Sequence, residues 1–273
     1  MARTKLVTSF YSDIGGFPYY GHTSESRHNR YLHSLRTLDN LDEELICYCN
    51  DSQINLLSEF CLKHHLNNVK LKVSNISSNP FAEKMRQIKE ESKDFNFYHE
   101  VDWNKLHLLE KEFDEEYDFI YWIDVGISHR GLFLLKYNPF ADKITGLSKD
   151  WENYSFIRLF NSDLFPRINK WLGETLINIS HTQIRSNFEQ INEIYNSNHH
   201  FESNTVGGIL GGHTSKMKWF VDDFKRNGTL CLDQKIILNH EQIISYMVKE
   251  YSHYFSTYIF DSWYHEDWRF PKN

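Results

Sequence analysis

The chain has 273 residues, enough for one large α/β domain or two small ones, and its formal net charge is −7 at pH 7. Hydrophobic residues make up 40% of it and charged residues 25%, which is the composition of a soluble globular protein. The acidic balance argues against a protein that coats a phosphate backbone, because such binding needs clustered Lys and Arg, although a local basic groove is compatible with it.

Strands and helices alternate through the first half of the sequence. This alternation is typical of βαβ units and predicts a parallel sheet. The predicted elements, in chain order, are strand 5–11, a glycine-containing loop, helix 24–38, strand 44–49, helix 52–65, strand 69–73, helices 79–92 and 103–115, and strand 119–123.

The second half continues the pattern less regularly. Residues 174–200 have mixed polarity and no clear period, and proline is too scarce to indicate a domain boundary. One continuous sheet is therefore expected. The remaining predicted elements are strand 154–160, helix 162–172, glycine-rich strand 205–212, helices 216–226 and 241–251, and strand 254–260.

The predicted strand at 119–123 stops on a carboxylate, Asp124. Ligands of open α/β sheets bind beyond the carboxyl ends of the strands. An ionised Asp at that point needs a partner, which a metal or a sugar hydroxyl supplies. Gly126 leaves room for a ligand beside it. We therefore predict that Asp124 anchors a ligand, with Gly126 close to it.

Several basic residues suit a phosphate group. Arg27 and Arg30 lie near the first turns of a predicted helix, where a helix N-terminus and arginines together favour a diphosphate; the alternative is a solvated basic face. Lys105, before the central strand, is either a phosphate or ribose contact or a surface lysine. Neither GxxxxGK[ST] nor GxGxxG follows the first strand, which weakens kinase, NTPase and dinucleotide-binding hypotheses.

Two further strand-end features predict ligand contacts. Asp51 follows the second strand and either accepts hydrogen bonds from a base or ribose or caps the next helix. Gly207 and Gly208 are paired glycines within a predicted strand, which marks close approach of a ligand to the backbone or, alternatively, a tight turn and bulge.

The C-terminal part carries the candidate acid–base groups. Asn239 and Gln242 have the spacing of a capping box, which puts Glu241 in the first turn of a helix. There it would bind acceptor hydroxyls or act as a base, and Asp233 is a second candidate. His265, in an aromatic tail, either completes a metal site and closes over a ligand or packs on the surface.

Four motifs together resemble bacterial HtrL/YibB-type proteins, which are similar to GT-A glycosyltransferases of lipopolysaccharide and capsule clusters. They are Val7-Thr8-Ser9-Phe10-Tyr11, Tyr-Trp-Ile-Asp-Val-Gly at 121–126, the glycine pairs at 207–212, and Glu241-Gln242. The resemblance implies a GT-A-like αβα sandwich with a mostly parallel sheet in one domain. A Rossmann-like nucleotide half would span about 1–130, and an acceptor half with the tail about 131–273.

The resemblance also implies a hexosyl- or pentosyltransferase with a nucleotide-diphosphate sugar donor, most commonly a UDP-sugar, and Mn²⁺ or Mg²⁺. Thr8 and Phe10, in the first motif, would belong to the donor site. GT-A enzymes commonly carry Asp-x-Asp after the central strand, whereas this chain has Gly126 in place of the second carboxylate. The metal would then be held by Asp124 with His265.

The acceptor remains open between two hypotheses. The first is a surface glycan of lipopolysaccharide, lipooligosaccharide or capsule; the second is DNA with hydroxymethylated bases, modified by a phage-type enzyme. Other classes of protein are a metal-dependent phosphoester hydrolase and a non-catalytic sugar-binding module. No apolar run approaches the ~20 residues of a membrane helix, and no signal peptide is apparent. We expect a cytoplasmic protein, with peripheral association at the inner membrane as an alternative.

Overall fold

The computed structural model describes residues 3–11, 28, 31–32, 35–36, 38, 43–92, 98–125, 177–183, 189–200 and 203–259. The strands are β1 Thr4–Phe10, β2 Glu44–Cys49, β3 Val69–Val73, β4 Phe119–Ile123, β5 Ile177–Gln183, β6 Ser203–His213 and β7 Phe255–Ile259. The helices are α1 Ile54–His64, α2 Ala82–Ser92, α3 Tyr98–Glu110, α4 Glu189–Tyr195, α5 Thr214–Asp233 and α6 His240–Glu250. The described positions between 28 and 38 are also helical.

The strands form one sheet in the order β3-β2-β1-β4-β6-β5-β7. β1 pairs in parallel with both β2 and β4, whereas β6 is antiparallel to its two neighbours, β4 and β5. After β3 the chain returns to the other side of β1 and enters β4. The boundary between β1 and β4 is therefore a topological switch point, where the carboxyl ends of the strands open a crevice for ligands.

Side chains from alternate strand positions enter two separate cores. Val7, Ile46 and Trp122 face a layer built from α2, α3, α5 and α6. Leu6 and Ile123 face the opposite layer, which contains α1 and the helical residues at 35 and 38. Because helices cover both faces of a mostly parallel sheet, the predicted α/β class and its GT-A-like sandwich layers are confirmed.

The predicted and observed elements differ where polar side chains obscure the pattern. β5 and α4 lie in the stretch 174–200, for which the sequence predicts no element. α3 begins and ends five residues before the predicted helix 103–115, and its first turn contains Glu100, which is buried in ion pairs with Arg86 and Lys89. α5 continues to Asp233, well beyond residue 226. The predicted strand 154–160 and helix 162–172 lie outside the described residues.

All four cysteines of the sequence are buried thiols that are not joined in disulfides. Cys47 and Cys49 lie on the same face of β2 and pack in the same core, as their alternate spacing predicts. Within the described ranges, no helix combines the length and apolar character needed to cross a bilayer.

Candidate functional site

Asp124 forms an ion pair with Lys105 at the carboxyl end of β4. The Lys105 Nζ atom lies 2.9 Å from Oδ1 and 3.1 Å from Oδ2 of the carboxylate, and the indole Nε1 of Trp122 donates a hydrogen bond to Oδ1 at 2.6 Å. The Lys105 side chain is only 7% exposed, whereas that of Asp124 is 31% exposed. The carboxylate is thus the accessible member of the pair, and its cation lies below the surface. Both residues are predicted ligand contacts, and the structure brings them together.

A second carboxylate lies behind this pair. Asp102, one helical turn before Lys105 on α3, is fully buried and has Oδ1 at 3.6 Å from the Lys105 ammonium. The His240 Nδ1 atom lies 3.5 Å from its other oxygen. Burial acts to raise the pKa of Asp102, but His240 and Lys105 outweigh it and lower that pKa, so the carboxylate is charged.

Lys105 stays cationic for a similar reason. Its burial acts to lower the pKa, but attraction to Asp124, Asp102 and Glu241 is larger and raises it. The charged ammonium therefore offsets part of the negative charge of the carboxylates around it.

The start of α6 delivers Glu241 to the same region. The Asn239 side chain accepts a hydrogen bond from the Glu241 backbone N–H at 3.0 Å, and Gln242 Oε1 accepts one from the Asn239 backbone, so the predicted capping box is present. Trp103 on α3 donates to the Leu238 carbonyl at 2.9 Å, which ties the two helices together just before the cap. Glu241 is nearly buried and lies in the first turn, as predicted.

Tyr11 connects the ends of β1 and β3 to α3. Its hydroxyl donates to the Ser74 carbonyl at 2.7 Å and accepts from the Asn104 amide at 3.1 Å. Burial raises the pKa of Tyr11, so the phenol keeps its proton at neutral pH. Tyr11, Ser74 and Asn104 therefore form a buried, hydrogen-bonded polar cluster near the end of β1.

The other predicted N-terminal contacts are placed differently. Thr8 and Phe10 are fully buried in β1, and Phe10 packs edge-on against His28 and Tyr31. Their predicted contacts with the sugar donor are untested. Phe10 is part of the hydrophobic core. Asp51 is exposed just after β2, at the same end of the sheet as Asp124. It does not cap α1, whose N-cap residue is Gln53.

Gly207 and Gly208 lie within β6 where its pairing with β5 shifts register. Leu210 pairs with Ile179 and Val206 pairs with Ser180, so the glycines occupy the irregular stretch between them. Ile209 pairs with Ile123, the last residue of β4. Continuing that register by one residue would bring Gly208 opposite Asp124. The glycine pair therefore lies in an irregular part of the β5–β6 pairing, next to the end of β4.

Asp233 is the last residue of α5, where it is exposed and forms an ion pair with Lys84 on α2. Its described contact is with Lys84 and not with the charged residues around Lys105. Its predicted catalytic role therefore stays a prediction. Arg27, Arg30, Gly126 and His265 lie outside the described residues, so their predicted roles are also untested.

The described residues do not by themselves form a site for a divalent cation. They contain no group of three or more His, Cys, Asp or Glu side chains able to hold a metal. Asp124, the described half of the predicted pair with His265, already has Lys105 and Trp122 on its carboxylate. A metal at Asp124 would have to displace the ammonium.

Two residues near the Lys105–Asp124 pair, Asp102 and His240, are not among the predicted site residues. Asp102 lies just outside the helix predicted at 103–115, although its spacing of three residues from Lys105 is a helical ion-pair spacing. His240 immediately precedes Glu241 in the predicted helix start. Both residues are thus next to predicted features in the sequence, but their proximity to each other results from the contact between α3 and α6.

No protein-family model matches the sequence, and no curated protein matches it, so the HtrL/YibB-type resemblance stays a prediction. Three solved structures are similar in architecture. Mouse xyloside xylosyltransferase 1 in its apo form has 10% identity and a TM-score of 0.48, over 94% of this chain and 85% of that one. The 4-diphosphocytidyl-2C-methyl-D-erythritol synthase of Anaerococcus prevotii has 9% identity and a TM-score of 0.46, over 96% and 88%. A protein of Desulfovibrio desulfuricans described as a nucleotide-diphospho-sugar transferase has 10% identity and a TM-score of 0.42, over 96% and 83%.

Proposed function

We propose that the chain is a glycosyltransferase that moves a hexosyl or pentosyl group from a nucleotide-diphosphate sugar, first of all a UDP-sugar, to an acceptor hydroxyl. The observation that carries this proposal is the Lys105–Asp124 pair at the β1–β4 switch point, where open α/β sheets bind nucleotides. A surface glycan is the proposed acceptor, following the HtrL/YibB-type resemblance. The cytoplasm, where nucleotide sugars are made, is the proposed location.

Each side chain has a role that follows from its exposure and charge. Asp124 would accept hydrogen bonds from hydroxyl groups of the donor through its partly exposed carboxylate. The buried ammonium of Lys105 would stabilise negative charge that develops on the leaving diphosphate, which is an electrostatic contribution that needs no movement of charge at the moment of reaction. Glu241, held by the cap of α6, would take the proton of the acceptor hydroxyl.

The donor is tested by thermal-shift measurements with UDP-, GDP-, CMP- and ADP-sugars, each with EDTA and with Mn²⁺. At least one nucleotide sugar should raise Tm, because a ligand that binds only the folded state stabilises it by mass action. If no nucleotide sugar shifts Tm under either condition, the proposed function is wrong.

Asp124→Asn tests the anchor while keeping its shape. Loss of the charged acceptor should weaken binding of the stabilising nucleotide sugar by roughly tenfold, measured by calorimetry, because hydrogen bonds to ionised groups contribute about 1.5–3 kcal/mol. Asp222→Asn, on an exposed position of α5, is the matched control and should bind as the original protein does. Equal affinity in both variants would remove Asp124 from the donor site.

Glu241→Gln tests the base. Turnover should fall by about 10²-fold or more while the dissociation constant of the donor changes little, because general-base catalysis commonly contributes 10²–10⁴. The parallel variant Asp233→Asn should keep its activity, since Asp233 pairs with Lys84 on the surface. A large loss in Asp233→Asn together with normal turnover in Glu241→Gln would reassign the base to Asp233.

A further inference from the structure

One ammonium, that of Lys105, lies between two carboxylates of very different exposure. It is 2.9 Å from Asp124, which faces the crevice, and 3.6 Å from Asp102, which is fully buried. Only the first distance is that of a hydrogen bond. In this arrangement the Lys105 ammonium is hydrogen-bonded to Asp124, whereas its interaction with Asp102 is only electrostatic.

Asp102 is ion-paired with Lys105 at 3.6 Å and with His240 at 3.5 Å, but these contacts do not have the geometry of hydrogen bonds. Neither of its oxygens has a hydrogen-bond partner within the described part of the chain, and neither ring nitrogen of His240 has one. Buried carboxylates are normally hydrogen-bonded, because leaving them unsatisfied costs free energy. An ammonium carries three N–H donors, so the Lys105 side chain needs to approach by only about 0.7 Å to reach the ~2.9 Å of a charged hydrogen bond.

We propose that Asp102 is a positioning residue that receives the Lys105 ammonium when a donor hydroxyl binds to Asp124. The hydroxyl displaces Lys105 from Asp124, and Lys105 moves to Asp102 and stays in the site as a hydrogen-bonded cation. Asp102 thereby compensates the loss of the Lys105–Asp124 bond each time the ligand enters. This proposal rests on the proposed function for the identity of the ligand, whereas the sharing of Lys105 between two carboxylates is a property of the ligand-free protein.

The sharing is tested first without any ligand, by the Tm values of Asp102→Asn, Asp124→Asn and the double variant. Each single variant leaves Lys105 one full carboxylate partner, so each should lower Tm by only a few degrees. The double variant leaves a buried ammonium without either partner, and its Tm should fall by roughly 10 °C beyond the sum of the two single changes. Glu241, the remaining nearby carboxylate, limits this loss without abolishing it.

Asp223→Asn provides the matched control. Asp223 is also a buried aspartate, but its partners are Arg226 and Asn227 on α5, and it shares none with Asp124 in the described ranges. Its effect on Tm should therefore add to that of Asp124→Asn. If Asp102→Asn and Asp124→Asn are just as additive, Lys105 is not shared and the proposal is wrong.

Ligand binding then separates positioning from a purely structural role. Asp102→Asn should weaken the nucleotide sugar with the largest thermal shift by about tenfold, because Lys105 keeps its bond to Asp124. In the Asp124→Asn background the same substitution should have little further effect on affinity, since Lys105 is no longer contested. An equal loss of affinity in both backgrounds would overturn the positioning role. If no nucleotide sugar binds at all, the donor assignment fails, and the Tm cycle still decides whether Lys105 is shared.

Discussion

Trp122 supports the site from inside the sheet. Its ring is buried in the core while its indole N–H donates to Asp124, so one side chain serves both packing and orientation of the carboxylate. A buried Trp needs such a partner for its N–H, and here the partner is the proposed ligand anchor. The strand that positions Asp124 thus also fixes the direction of its carboxylate.

Trp122→Phe should lower the free energy of unfolding by roughly 2 kcal/mol, through lost ring volume and a lost charged hydrogen bond, and should weaken donor binding severalfold. Urea unfolding and calorimetry measure the two effects. Tyr195→Phe is the control, because it removes a partly buried hydroxyl that donates to the Asn227 carbonyl on α5. The Tyr195→Phe variant should be less stable than the original protein but should bind the sugar donor with the same affinity. Trp122→Phe with unchanged affinity would show that the indole has no part in orienting Asp124.

At the scale of elements, α3 is held against α5 at a glycine. A Cβ atom at Gly228 would lie 2.5 Å from Cζ3 of Trp103, so only glycine allows this approach of the two helices. Glycine within a helix costs about 1 kcal/mol relative to Ala, which the close packing of Trp103 offsets. The same indole ties α3 to Leu238, so this contact helps to set the position of α6 and Glu241.

Gly228→Ala should therefore destabilise the protein by roughly 1–3 kcal/mol, in spite of the better helix propensity of Ala, because the added methyl overpacks the contact. Combined with Trp103→Phe, which removes the clashing part of the ring, the same substitution should become much less costly. Chemical denaturation of the four proteins measures this coupling. A Gly228→Ala variant that is more stable than the original protein would contradict the contact.

For the whole molecule, the burial of all four thiols reports whether the two cores are intact. Desolvation raises the pKa of Cys231 to about 11 and that of Cys47 well above its usual range, so both are protonated and unreactive at pH 8. We expect a thiol reagent to modify the folded protein very slowly and to titrate four thiols in denaturant. Rapid modification of Cys47 or Cys49 under native conditions would contradict the packing of β2.

Much of this architecture is predictable because short local patterns carry it. The strands at 44–49, 69–73 and 119–123 have their predicted bounds, and the cap of α6 is visible in Asn239 and Gln242. β5 is not predictable in the same way, because its last four residues, at 180–183, are all polar and continue no alternation of apolar and polar side chains. Likewise, Asp124 and Lys105 are each recognisable as candidates, but their pairing and the involvement of Asp102 depend on tertiary contact between α3 and β4.

The central position of β1 has a consequence during synthesis. β1 pairs with β2 on one side and with β4 on the other, and β4 begins only at Phe119. At about 5–20 residues per second, roughly 5–20 s separate the appearance of β1 from that of its second neighbour. During this interval the nascent chain presents β1, every residue of which is buried in the folded protein, with one open edge, and an open strand edge is prone to wrong pairing. Slower translation would lengthen this exposure, so the yield of folded protein should depend on how quickly the ribosome reaches β4.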